Sequence, residues 1–248
     1  MNQLSIGRFP ELDYACGEAM NTLCTNLFYC GENIRSVLLT SRYEQEGKSS
    51  IAMNVMRTLA GFGKRVVLVD ADLRCSTLAR RYRFSFASRG AFGLAQYLAG
   101  MCALEDAVCQ TNLPGAYILP AGREVLNSMQ LLASPRYGEM MESLRKNFDV
   151  VLVDSPPAGV IVDAVEIAKY CDGAIIVVAY NKGRRQDIGE VAESIAKTSC
   201  KVLGAVMNGV NLKSFRNRRY YYRSERYSSY YNHYDRTEKR PDKSAKRK

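Results

Sequence analysis

Three short segments carry the residue types that phosphate chemistry uses. In "SRYEQEGKSS", residues 41–50, Gly47, Lys48 and Ser49 fill the second half of the pattern G-x-x-x-x-G-K-[ST], and Ser50 extends it. A loop of that kind holds phosphates on backbone N–H groups at a helix N-terminus. Its lysine reaches the outer phosphates and its hydroxyl binds Mg²⁺. Arg42 stands where the pattern has its first glycine, so the match is partial, and alone the segment also reads as a capped helix with a surface lysine. "VVLVDADLR" ends an apolar run on Asp70 and Asp72, whose spacing lets both face one side of an extended chain. "VVLVDSPP" ends another such run on Asp154, where a carboxylate can hold Mg²⁺ directly or through water. Each acid alone also suits a loop or a cap. Three such strand ends in this order are much harder to explain as structure only.

The elements that must position these residues follow from periodicity. Residues 36–40, 65–70, 149–154, 173–180 and 202–210 are short continuous apolar runs, and "AYILPAG" at 116–122 is a further strand candidate. Helical spacing covers roughly 11–29, 48–62, 128–146, 161–169 and 185–199. Buried strands alternating with helices predict an α/β fold, a mostly parallel central sheet flanked by helices on both faces. In such a sheet the active site lies at the carboxyl ends of the strands, where all three segments fall.

Composition narrows the function classes. The eight cysteines form no C-x-x-C pair and the one histidine is His233, so a thiol zinc site and a disulfide framework are both disfavoured and a reducing cytosol fits. The first twelve residues lack the apolar core of a signal peptide. No apolar run approaches the ~20 residues that cross a bilayer, so the chain reads as soluble. Charge is confined: residues 213–248 hold 13 Lys/Arg against four Asp/Glu, while residues 1–212 hold 22 against 21. Within that basic stretch, "RRYYYRSERYSSYYNHY" carries seven of the 16 tyrosines, with almost no aliphatic residue to bury them. Such composition predicts a flexible tail. Basicity alone would suggest nucleic acid or an anionic membrane, and leaves the tyrosines unexplained.

Taken together, "EGKSS", "VDADLR", "VDSPPAGVIVDA", "LPAG" at 119–122, "VLGAVMNGV" and the tyrosine-rich end resemble the bacterial tyrosine kinases of capsule and exopolysaccharide synthesis, of the cytoplasmic CpsD/CapB-like type. The resemblance covers nearly the whole chain and implies a P-loop NTPase fold with ATP and Mg²⁺ as cofactors. It implies that Gly47, Lys48, Ser49 and Ser50 bind the nucleotide, with Lys48 on the phosphates and Ser49 on Mg²⁺. Asp154 would be the acid of the third motif, Asp70 the metal-linked base toward the phenol, and Asp72 its support. Tyr220, Tyr221, Tyr222, Tyr227, Tyr230, Tyr231 and Tyr234 would accept phosphate, passed between subunits. The implied partners are a membrane adaptor of the polysaccharide chain-length regulator type, further copies of the chain and a cognate tyrosine phosphatase, with no nucleic acid. The implied location is cytoplasmic, at the inner face of the membrane through the adaptor.

That reading divides the chain into an N-terminal helical segment for assembly or adaptor contact (1–34), an ATP-binding kinase domain (35–212) and a tyrosine-cluster tail (213–248). Departures accompany the resemblance. Gln45 stands where many relatives have glycine, and Asn21 and Cys24 occupy both arginine positions of the helix motif E-x-x-R-x-x-R, of which Glu18 remains. A weaker or differently built oligomer is expected. Two alternatives stay open on residues alone: a partition or positioning ATPase of the ParA/MinD kind, and a non-catalytic member that binds only nucleotide or adaptor. Against the former, Tyr43 replaces the extra lysine that those ATPases carry in the loop.

Overall fold

The computed structural model describes residues 2–87, 92–123, 125–180, 182 and 184–210. The tyrosine run, with the rest of the expected tail, lies outside the described residues. Along the chain run β1 (Asn2–Ile6), α1 (Tyr14–Tyr29), β2 (Ser36–Ser41), α2 (Lys48–Gly61), β3 (Val66–Asp70), α3 (Leu78–Arg81) and β4 (Phe84–Phe86). Then come α4 (Leu94–Leu98), α5 (Leu104–Ala107), β5 (Cys109–Thr111), β6 (Ala116–Leu119), α6 (Ser128–Leu132) and α7 (Pro135–Asn147). The described chain closes with β7 (Val150–Asp154), α8 (Asp163–Ala168), β8 (Gly173–Ala179), α9 (Arg185–Ala196) and β9 (Lys201–Asn208).

The strands form one sheet in the order β4-β1-β5-β6-β3-β7-β2-β8-β9. Pairing is parallel except at β1–β4 and β5–β6, so the expected mostly parallel sheet is present. The apolar runs are continuous because both faces of the central strands are covered, and the period of two divides them between two cores. Leu38, Val67, Val69, Val151, Val153, Ala174 and Ile176 face one side, where α4 and α6–α9 bring Leu94, Leu132, Tyr137, Met140, Ile167, Val191 and Ile195. Val37, Leu39, Val66, Leu68, Leu152, Ile175 and Val177 face the other, against Cys24 and Leu27 of α1 and Ile51, Met53, Val55, Met56 and Leu59 of α2. Each fully buried aliphatic side chain contributes about 2 kcal/mol. α2, which grows straight out of the glycine–lysine loop, is thereby fixed along the sheet.

The short elements α3, β4, α4, α5 and β5 are not expected from periodicity, and two further differences have a local cause. The expected helix 128–146 is two helices, α6 and α7, because Pro135 occupies the first turn of α7, where its missing N–H is harmless, and starts a new helix there. Residues 2–6, ahead of α1, supply a strand to the sheet through alternating Leu4 and Ile6. Cys24 is fully buried, its Sγ 3.9 Å from the Val55 carbonyl oxygen, so this position of α1 faces α2. Asn21 is exposed and donates to Glu18 Oε1 at 3.1 Å.

Candidate active site

Parallel register brings the three chemistry-bearing segments to one edge. β2 pairs with β7 so that Leu39 lies opposite Asp154, and β3 pairs with β7 so that Asp70 lies opposite Asp154. The two carboxylates are therefore neighbours on adjacent strands at their carboxyl ends, where the loop after β2 also begins. That loop is fastened to the one after β7. Thr40 Oγ1 donates to Pro156 O (3.1 Å), and the Ala158 N–H reaches Ser41 O (2.9 Å).

Residues 42–47 turn the chain from β2 into α2. Gly47 caps the helix at φ 92° and Gln45 sits at φ 60°, both left-handed. Glycine takes that conformation freely, whereas glutamine pays for it in steric contact, so Gln45 occupies a position where its backbone asks for glycine. Lys48 and Ser49 open α2, whose first N–H groups have no partner within the helix and whose dipole is positive there, a ready anion site. Lys48 is buried to 8% exposure at the lip of the strand ends. Ser50, one residue on, has its hydroxyl beside the buried Tyr82 phenol.

The carboxylates are held in a state that calls for a cation. Burial, with the Asp154 charge second, pushes Asp70 up to about 8, although the Ser76 hydroxyl donates to its Oδ2. Burial likewise pushes Asp154 up to about 6, against the pull of the Lys48 charge and the Ser49 hydroxyl. Asp70 Oδ1 and Asp154 Oδ1 are both buried without a hydrogen-bond partner. Two adjacent buried carboxylates with free oxygens, beside a serine hydroxyl, fit a hard oxygen-ligated cation such as Mg²⁺. Among the described residues no cluster of three or more His, Cys, Asp or Glu forms a metal cage. Phosphate and water oxygens would have to complete the shell, which is how Mg²⁺ is held at nucleotides. Asp72 is half-buried at the start of the turn after β3, its Oδ1 accepting from the Cys75 N–H at 3.1 Å.

The structure thus brings together Gly47, Lys48, Ser49, Asp70 and Asp154. It also adds residues that sequence reasoning passed over. Asp163, 2% exposed, takes the Arg74 guanidinium in two bonds of 2.9 and 3.1 Å and the Ser128 hydroxyl at 3.2 Å, tying the loop after β3 to the start of α8. Both residues stood inside segments singled out above, "VDADLR" and "VIVDA", but their pairing spans 89 positions. Arg42 Nη2 meets Glu190 Oε2 of α9 at 2.7 Å, and the Tyr43 hydroxyl meets Asp187 Oδ1 at 3.3 Å. Glu46 is buried within the loop, and Asn208, at the end of β9, donates to its carbonyl oxygen. The seven tail tyrosines lie outside the described residues.

Known proteins share this frame. A profile of the AAA domain matches residues 45–204. The tyrosine-protein kinase CpsD of Streptococcus agalactiae is 33% identical over 194 residues, 78% of this chain and 82% of that protein. The kinase domain of the Escherichia coli tyrosine kinase ETK superposes with a TM-score of 0.75 over 80% of this chain and 77% of that one, at 22% identity. The septum site-determining protein MinD of Pyrococcus horikoshii, solved with Mg-ADP, superposes at 0.62 over 73% and 72%, at 27% identity. With a relative that similar over most of both lengths, the chain belongs to the bacterial tyrosine-protein kinases of capsule and exopolysaccharide synthesis, the CpsD type.

Proposed function

We propose that this kinase transfers the γ-phosphoryl group of ATP to the tyrosines of its own C-terminal cluster, Tyr220 to Tyr234, on a neighbouring subunit, and so regulates polysaccharide synthesis and export. The observation that carries the reading is the convergence of Lys48, Ser49, Asp70 and Asp154 at the ends of adjacent parallel strands. In this reading the α2 N-terminus and Lys48 hold the phosphates, and Lys48 offsets the charge that grows on the leaving and transferring oxygens. Asp70 accepts the phenolic proton as the tyrosine oxygen bonds to phosphorus and the bond to ADP breaks. Burial raises its proton affinity in the metal-free site, the direction that a base requires. Asp72 supports that loop. Ser49, Asp70 and Asp154 would hold Mg²⁺, which would supply Lewis-acid polarisation of the phosphoryl oxygens.

Several partners accompany this role. None of the helices among the described residues is long and apolar enough to cross a membrane. We assign a membrane adaptor of the chain-length regulator type the task of bringing the kinase to the inner face of the membrane, and a tyrosine phosphatase the hydrolysis of the phosphotyrosines. The test is incubation of purified protein with radiolabelled ATP, with and without the adaptor's cytoplasmic segment. Lys48→Met should lose phosphotyrosine, and because methionine fills much the same buried space it should keep its fold, which thermal unfolding checks. When Lys48→Met full-length chain is mixed with catalytically intact chain truncated after Val210, label should appear on the full-length chain. A blank full-length chain, under conditions that label wild type, overturns transfer between subunits. Phosphate release without phosphotyrosine would favour the positioning-ATPase reading.

A further inference from the structure

The loop from Ser41 to Ser49 has one glycine where its pattern has two, yet it is held on every side. The Glu46 carboxylate is 2% exposed and turns inward rather than to solvent. Its Oε2 accepts from the Tyr43 N–H at 2.8 Å, across the loop, and its Oε1 accepts from the Ala179 N–H at 3.2 Å, at the end of β8. From the adjacent strand, Asn208 Nδ2 donates to the Glu46 carbonyl oxygen at 2.9 Å. Asn208 also sets the limit at the next residue, because a Cβ on Gly47 would lie 1.9 Å from that same Nδ2. Gln45, between these ties, is kept left-handed at φ 60°, a conformation that glutamine does not hold unaided. A buried carboxylate satisfied by backbone N–H groups on two elements is a strut: it costs desolvation and is retained only where those bonds are made.

We propose that Glu46 and Asn208 are positioning residues that preset the nucleotide loop, fastening it to the tips of β8 and β9 and replacing with side-chain ties the shape that a second glycine would allow. The proposal rests on residues 41–49 being the nucleotide loop. Neither residue touches phosphate in this account. They act through the backbone of Tyr43 to Gly47, so that the phosphate-binding N–H groups already point inward before ATP arrives. A loop that is only fractionally in its binding shape has its apparent affinity reduced by that fraction. Removal of either tie should therefore raise the KM for ATP more than it lowers kcat.

Three measurements on the full-length protein test this, with mant-ADP and MgCl₂ as the binding probe. Glu46→Ala and Asn208→Ala should each weaken mant-ADP by about tenfold or more, the scale of a lost charge-assisted or buried hydrogen bond. Thermal unfolding should show both variants still folded. In the nucleotide-free protein, hydrogen exchange should find the Tyr43 and Ala179 amides protected in wild type and exchanging fast in Glu46→Ala. Glu46→Gln, which keeps one acceptor oxygen, should restore part of both the protection and the affinity. Unchanged mant-ADP affinity in Glu46→Ala and Asn208→Ala overturns the proposal while leaving the nucleotide loop itself intact. Tighter binding in Glu46→Gln also overturns it, since the carboxylate would then be repelling phosphate. A wild-type protein that fails to bind mant-ADP, with Tyr43 and Ala179 nonetheless protected, would sink the nucleotide reading instead.

Discussion

At the scale of single residues, the site stores unfavourable electrostatics that the folded chain carries before any ligand arrives. Asp70, at about 8, holds a proton that an unfolded aspartate, with a value of ~3.9, has already lost over most of the intervening range. Asp154, at about 6, does the same over a narrower window. Because the folded state binds more protons there, metal-free stability should fall as pH rises from about 4 to about 8, with the Asp154 share complete by about 6. Asp70→Asn has no proton to lose. In EDTA it should unfold at a higher temperature than wild type at pH 8, flatten the decline between pH 6 and 8, and have no kinase activity. Parallel melting curves for the two proteins across that range would remove the raised carboxylate from the account. Lys48, Asp70 and Asp154 were legible in the sequence because phosphate and metal chemistry constrains residue type at fixed spacing. Glu46, Asn208 and Asp163 were not, because they act on backbone or on residues 89 to 162 positions away, where no local pattern records the contact.

At the scale of elements, packing decides which positions of a helix can serve a neighbour. Cys24 and Leu27 of α1 are buried in the core with α2, whereas Asn21 and Glu18, three and six residues before Cys24, are exposed and can meet another copy. Cys24→Arg would bury a guanidinium in an apolar seam and should destabilise the protein by about 3 kcal/mol or more. Asn21→Arg should be nearly neutral. Urea unfolding of the two variants, with light scattering alongside, checks this. A stable Cys24→Arg protein with a tighter oligomer would mean that α1 packs differently in the assembly. The same logic explains which elements could be read in advance. β2, β3, β7 and β8 announce themselves as unbroken apolar runs because helices cover both faces. "NQLSI", "FSF" and "CQT" are short, polar at alternate positions and clustered toward one side of the sheet, so only their partners make them strands.

At the scale of the whole molecule, charge is partitioned between a near-neutral body and residues 213–248, with 13 Lys/Arg against four Asp/Glu. Each phosphotyrosine adds about −1.5 to −2, so roughly five of them cancel the surplus of nine and seven reverse it. Wild type incubated with ATP should therefore elute earlier from a cation-exchange column, in steps that follow phosphate count by mass spectrometry, while Lys48→Met should not move. Labelled protein whose phosphate lies only outside 220–234 would disqualify the cluster as substrate. The bond from Asn208 to the Glu46 carbonyl has a different consequence, one of order in time. The ribosome makes residues 41–49 early, but the strand that latches them comes 162 positions later. At roughly 5–20 residues per second, the loop spends on the order of ten to thirty seconds in a nascent chain without its tie to Asn208. If this latch presets the loop as proposed, competence to bind ATP arrives only with β9, and a chain broken off before it carries the motif without the shape.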